Sequence, residues 1–195
     1  MTTALGDRAE DNLQFIRDTM ARAGAFTSVS GSGMMLVGAL GIGAAVVAPP
    51  AIIATSPREF LAVWFNAALL GGAISWLTIR RKAARTGQSL VDGPARRFAL
   101  AFSPGLAAGA VLTFAFIALG LPALLPGTWL TLYGASVTAG GALSVRPVPI
   151  MGATFIVLGA ACFLVPPVAQ SMLLAAGFGG LHLAFGYHIT RHYGG

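Results

Sequence analysis

Carboxylates are scarce in this sequence, and their placement excludes more than their number does. Six Asp and Glu stand against 12 Lys and Arg in 195 residues, and charged residues of both signs make up 9% of the chain. A soluble domain carries about 25%, so an aqueous surface of ordinary composition cannot be built here. All six acids (Asp7, Glu10, Asp11, Asp18, Glu59 and Asp92) fall outside the long apolar runs. Proton- and cation-coupled carriers hold their ion on an intramembrane acid, and such a carrier, a paired-carboxylate active site and a membrane metalloprotease all lack their residues. One cysteine, Cys162, excludes an internal disulfide and any multi-cysteine metal or iron–sulfur site. Inside an apolar run it reads as a small hydrophobe. No Ser or Lys stands in a nucleophile arrangement with a positioned base. The stretch from Thr27 to Gly33 lacks the Lys-Ser/Thr ending of a phosphate-cradling loop and reads as a flexible joint. A cleavable leader is not expected, because the first 25 residues carry four acids and no apolar run starts near the terminus.

What is present is apolar length. Hydrophobic residues make up 56% of the chain and the mean hydropathy is +0.79. Six apolar segments are visible, at about 33–54, 60–79, 98–119, 124–143, 148–165 and 168–189. Runs of this kind read as transmembrane helices. The expected fold is therefore all-α: an integral membrane bundle of six transmembrane helices over 31–190, with 190–195 as a tail. Pro49-Pro50 and Pro166-Pro167 end spans, and Ser103-Pro104-Gly105 is expected to kink the third. Met34–Pro50 and Met151–Pro167 share a length and a late Gly-Ala-Ala, a hint of internal repetition. Ahead of the bundle, residues 1–30 form a tail with an amphipathic helix over 11–25. Leu13, Ile16 and Met20 share one face of it, while Arg17, Asp18 and Arg22 take the other. Residues 1–26 are expected to be dispensable for both insertion and folding of the six spans.

Half of the basic residues lie in one stretch, RRKAARTGQSLVDGPARR: Arg80, Arg81, Lys82, Arg85, Arg96 and Arg97. Read as a loop over 80–97 between two spans, it stays on the cytoplasmic side and sets the orientation of the rest. Six spans then put both termini in the cytoplasm of a bacterial inner membrane, with eleven of the twelve basic residues inside and Arg58 outside. The same stretch suits anionic lipid headgroups. Because its charge sits beside spans without interleaved aromatics, nucleic acid is not an expected partner. Trp64, Trp129 and Tyr133 near the outer face, and Trp76 near the inner one, suit aromatic belts. The 26 glycines, among them Gly38, Gly41, Gly71, Gly179 and Gly186, are expected to let helices pack closely.

His182 is the one ionisable side chain deep in a span, and such a residue is a functional-site candidate. It reads either as a neutral ring hydrogen-bonded to a neighbouring helix or as a haem, proton or quinone contact. Asn66, Tyr133 and Thr154 are its candidate partners, and with His182 they are the residues that would line a solute path. No cofactor is assigned, since His188 and His192 lie on the same helix or just past it and cannot face His182 across one haem. Three stretches carry a resemblance: Leu132-Tyr133-Gly134 through Ser144-Val145-Arg146-Pro147-Val148-Pro149 to Met151-Gly152; Gly180-Leu181-His182 with Phe185-Gly186 and Tyr193-Gly194-Gly195; and Phe15-Ile16-Arg17-Asp18-Thr19-Met20. They resemble a family of small, uncharacterised bacterial membrane proteins. The resemblance implies a six-span architecture and brings no activity, ligand or catalytic residue with it. The functional expectation is a non-enzymatic accessory or partner subunit of a membrane assembly. The alternatives are a small permease for a neutral or anionic solute and a redox subunit using His182.

Overall fold

Two helix pairs, each joined along a row of glycines, make the centre of the molecule. The computed structural model describes residues 12, 13, 16, 25–91 and 93–193. Among them there is no strand; Phe26 and Ser144 form an isolated bridge, and the rest of the regular structure is helical. The six helices are α1 (Gly31–Val47), α2 (Pro57–Thr86), α3 (Gly93–Ala118), α4 (Leu125–Gly141), α5 (Pro147–Cys162) and α6 (Pro167–Tyr193). Short 3-10 turns at Pro50–Ile52 and Pro122–Leu124 fill two of the connections. α2, α3 and α6 are long and apolar enough to cross a membrane, whereas α1 and α5 are shorter apolar helices. The amphipathic helix expected over 11–25 falls almost wholly outside the described residues; Asn12, Leu13 and Ile16 are helical and exposed.

Local chemistry fixes the helix ends. Ser30 caps α1 by accepting from Gly33 N–H at 3.2 Å. α2 starts on Pro57, whose missing N–H costs nothing in a first turn. It stops at Gly87, left-handed at φ 67°, a conformation glycine adopts without strain. α2 therefore runs on through Arg80, Arg81, Lys82 and Arg85, and α3 already begins at Gly93. The basic stretch is thus two helix ends joined by a short turn, rather than one continuous loop. α3 runs unbroken past Pro104.

α1 packs along α6 and α4 packs along α5. Gly31 and Gly38 of α1 meet Gly186 and Gly179 of α6. A Cβ at Gly38 would lie 2.8 Å from the Gly179 carbonyl, and one at Gly186 2.7 Å from that of Gly31. In the second pair, Cβ atoms at Gly134 and Gly152 would each lie 2.7 Å from the other's carbonyl, and one at Gly141 the same distance from Pro149 N. Backbones this close gain dispersion along their whole length, which is how helices associate where lipid removes the hydrophobic drive. α2 lies outside α1 and α3 lies outside α4, and the two long helices barely touch one another.

The segment before α1 is not a loose joint. Phe26 N–H donates to Leu143 O at 2.8 Å, and Ser144 Oγ donates back to Phe26 O at 2.6 Å. Gln88 Nε2 donates to Thr27 Oγ1 at 2.7 Å while its Oε1 accepts from Ser28. Lys82 Nζ donates to Val29 O at 3.0 Å. Phe26, Ser28, Val29 and Ser30 are all buried. These contacts clasp the α4–α5 turn and the end of α2 across one end of the bundle.

Candidate functional site

His182 sits on the first α-helical turn after a π-helical segment of α6, Ala175–Leu181. Such segments are rare and favour functional positions. The ring is 2% exposed. Its Nε2 lies 2.7 Å from the Tyr133 hydroxyl of α4, and the Tyr133 and Phe155 rings stand 5.5 Å away. His182 Nδ1 has no hydrogen-bond partner among the described residues. Of the two neutral tautomers, the one with the proton on Nδ1 leaves Nε2 to accept from the Tyr133 hydroxyl. The opposite tautomer would leave the phenolic proton without an acceptor. We therefore assign Tyr133 as the donor.

The other sequence candidates do not join this pair. Asn66 Nδ2 donates to Ala62 O at 2.8 Å within α2 and lies on a shallow apolar groove between α1 and α2. Thr154 Oγ1 donates to Ile150 O at 3.0 Å within α5. What surrounds Tyr133 is aromatic. A row of rings runs Phe26, Phe98, Phe102, Tyr133, Phe178, Trp64, Trp129, Phe60, with successive centroids between 4.9 and 6.2 Å apart. It crosses the bundle from the clasp to the first turn of α2. Trp64 belongs to this core and not to a lipid-facing belt: it is 7% exposed, and its Nε1 donates to Ala48 O at 3.0 Å. Trp129 also turns inward, donating to Thr113 Oγ1 at 2.9 Å. Trp76 alone of the three is exposed, with Arg80 6.0 Å above its ring. Among the described residues no group of three His, Cys, Asp or Glu could hold a metal ion.

No family model, curated protein or solved structure matches this chain.

The site must therefore be judged on its own chemistry. Tyr133 and His182 form one interhelical hydrogen bond inside an apolar, aromatic sheath, and the one carboxylate among the described residues, Glu59, lies in the first turn of α2. Interhelical bonds of this kind average about 0.6 kcal/mol and reach about 1–2. His182→Gln, which keeps an acceptor for Tyr133, is expected to leave the melting temperature of the purified protein nearly unchanged. Tyr133→Phe and His182→Leu each strand one polar atom and should lower it modestly. A Soret absorbance in the wild type that disappears in His182→Gln would instead make the ring an axial ligand.

Proposed function

We propose that this chain is a polytopic protein of a bacterial inner membrane that crosses it six times, keeps both termini in the cytoplasm, and serves as a non-enzymatic accessory subunit of a membrane assembly. Membership of the small membrane-protein family it resembles is part of that reading. The six-span count draws support from the pairing of helices. α1, α4 and α5 have 17, 17 and 16 residues, about 24–26 Å at 1.5 Å per residue. Each runs beside a partner helix that extends the apolar layer. The orientation draws support from the basic residues, since the end of α2, the start of α3, Arg146 and the end of α6 carry nearly all of those described.

The observation that carries the accessory role is the open side between α2 and α3. α3 packs on α4 and on the 3-10 turn before it, and α2 packs on α1 and its adjoining turn; at the Phe60 end the Trp129 ring of α4 stacks against α2, and beyond it, among the described residues, the two long helices make few contacts with each other. None of the most apolar 18 residues of α3 is buried. Val111 and Phe114 are 66% and 79% exposed, and a helix held on one flank only is suited to receive another subunit's helix. The permease reading draws nothing from Asn66 and Thr154, whose polar groups bond within their own helices, and stacked rings fill the interior around Tyr133. The redox reading needs a His182 ring nitrogen that a haem iron can reach; Nε2 faces Tyr133, and Nδ1, though without a partner among the described residues, is buried. A photo-crosslinking residue at Val111 or Phe114 is expected to give one discrete protein adduct in the native membrane, and the same probe at Val157 or Leu164 of the α5 side to give none. Lipid adducts alone at all four positions would overturn the subunit role.

A further inference from the structure

Away from the row of rings, the start of α5 and the last turns of α6 border an open groove of about 410 Å³. Its walls are layered. Arg146, His188 and Tyr193 stand at the end of the bundle, while Ile150, Ala184 and Phe185 lie one turn deeper along the two antiparallel helices. The polar residues of this wall are exposed at the end of the bundle. His192 Nδ1–H donates to the His188 carbonyl at 2.9 Å, and the two imidazoles stack at 4.3 Å. Tyr193 lies 6.3 Å from His188, and its carbonyl accepts from Lys82 Nζ at 3.1 Å, which ties the end of α6 to α2. The one carboxylate among the described residues, Glu59, is in the first turn of α2. At 1.5 Å per residue, that is about 35 Å from the Lys82 end.

A cation beside two ring-bearing donors, above an apolar wall, has the chemistry of a phospholipid site. A guanidinium pairs with phosphate through two parallel charge-assisted hydrogen bonds, and basic pockets between spans at the cytoplasmic boundary suit anionic headgroups. We propose that this groove seats one anionic phospholipid. Arg146 pairs with the phosphate, His188 and Tyr193 donate to its oxygens, and the first methylenes of an acyl chain lie on Ile150, Ala184 and Phe185. Lys82 of the basic stretch meets this site at the Tyr193 carbonyl, whereas Arg80 and Arg81 are not among the residues that line it. The lipid site rests on the six-span reading only in placing this end of α5 and α6 at the membrane boundary.

The test uses the full chain, delipidated in nonionic detergent and titrated with phosphatidylglycerol, phosphatidylcholine or inorganic phosphate. Binding is followed by native mass spectrometry and by the melting temperature. The expected result is a single retained phosphatidylglycerol that raises the melting temperature, with phosphatidylcholine retained weakly and millimolar phosphate without effect. Arg146→Gln should weaken retention by about tenfold, the loss of one charge-assisted bidentate pair. The double variant Arg80→Gln, Arg81→Gln should keep the single adduct. Equal retention by Arg146→Gln, or equal retention of phosphatidylcholine, would overturn the proposal. So would stabilisation by inorganic phosphate alone, which would make this a site for a free anion. Reporter fusions test the topology independently: those at Gln88 and Arg146 should report the cytoplasm and one at Ile53 the outside. An outward signal from Arg146 would overturn the orientation, while the detergent titration would still decide the site.

Discussion

Gly134→Ala is expected to destabilise the protein, and Gly180→Ala to leave it unchanged, although both are glycine-to-alanine changes within apolar helices. A methyl at Gly134 would lie 2.7 Å from the Gly152 carbonyl and 2.8 Å from Ile156 N. Backbone atoms cannot swing aside as a side-chain tip can, so α4 and α5 must separate. Overpacking of this kind costs about 1–3 kcal/mol, against at most about 1 kcal/mol gained in helix propensity. The same methyl at Gly43, Gly72 or Gly180 meets nothing within 4 Å and should show only the propensity gain, if any. Gly134→Leu should go further and prevent the α4–α5 pair from forming, so that little monodisperse protein survives detergent extraction. Thermal unfolding of the purified variants reads the difference. Gly134→Ala as stable as Gly180→Ala would mean that the α4–α5 backbones do not approach this closely.

That contrast also shows what was legible beforehand. The close-packing glycines were visible as a class, and their pairing was hidden in plain spacing. Gly31 and Gly38, Gly179 and Gly186, Gly134 and Gly141, and Gly152 and Gly159 are each seven residues apart. Seven residues is two helical turns, so each pair marks one face. The partnership α1 with α6 and α4 with α5 could have been proposed from that repeat. Trp64 was misplaced for a related reason. A tryptophan near the end of a span suits either a belt or a core, and residue type alone does not choose. Its helix face does: Phe60, Trp64 and Gly71 recur at helical spacing, and all three are buried. Helical class and apolar length were readable because composition and hydropathy are properties of the chain alone. The Tyr133–His182 bond was named among three options but could not be singled out, because separation in sequence says nothing of rotation about two helix axes.

The clasp before α1 was the least readable element. Thr27, Ser28, Ser30, Gly31 and Ser32 have the composition of a linker, yet Thr27 and Ser28 bond Gln88 about sixty residues away, and Phe26 just before them bonds Ser144 more than a hundred residues away. The dispensability of residues 1–26 therefore has to be corrected at its last residue, because Phe26 is 4% exposed and stacks 4.9 Å from Phe98. Removing residues 1–24 should leave the melting temperature close to that of the full chain, since the clasp and its hydrogen bonds remain. Removing residues 1–30 should lower it sharply, because Lys82, Gln88, Leu143 and Ser144 lose the contacts they make with this segment and Phe98 loses its cover. Phe26→Ala isolates the packing part of that loss. Truncating a buried phenylalanine costs about 3–5 kcal/mol where the surroundings cannot collapse. The start of α3 meets the α4–α5 turn through this ring. Gln88→Ala isolates the polar part: it leaves the buried Ser28 hydroxyl and the half-buried Thr27 hydroxyl short of a partner, at about 1–3 kcal/mol in all. Insertion itself should be unaffected in every variant, because the backbone of each span is satisfied within its own helix. A reporter at Ile53 checks this by keeping its outside signal. If Phe26→Ala melts with the wild type, Phe26 contributes no packing across this end of the bundle, and residues 25–30 revert to the linker that their composition suggests.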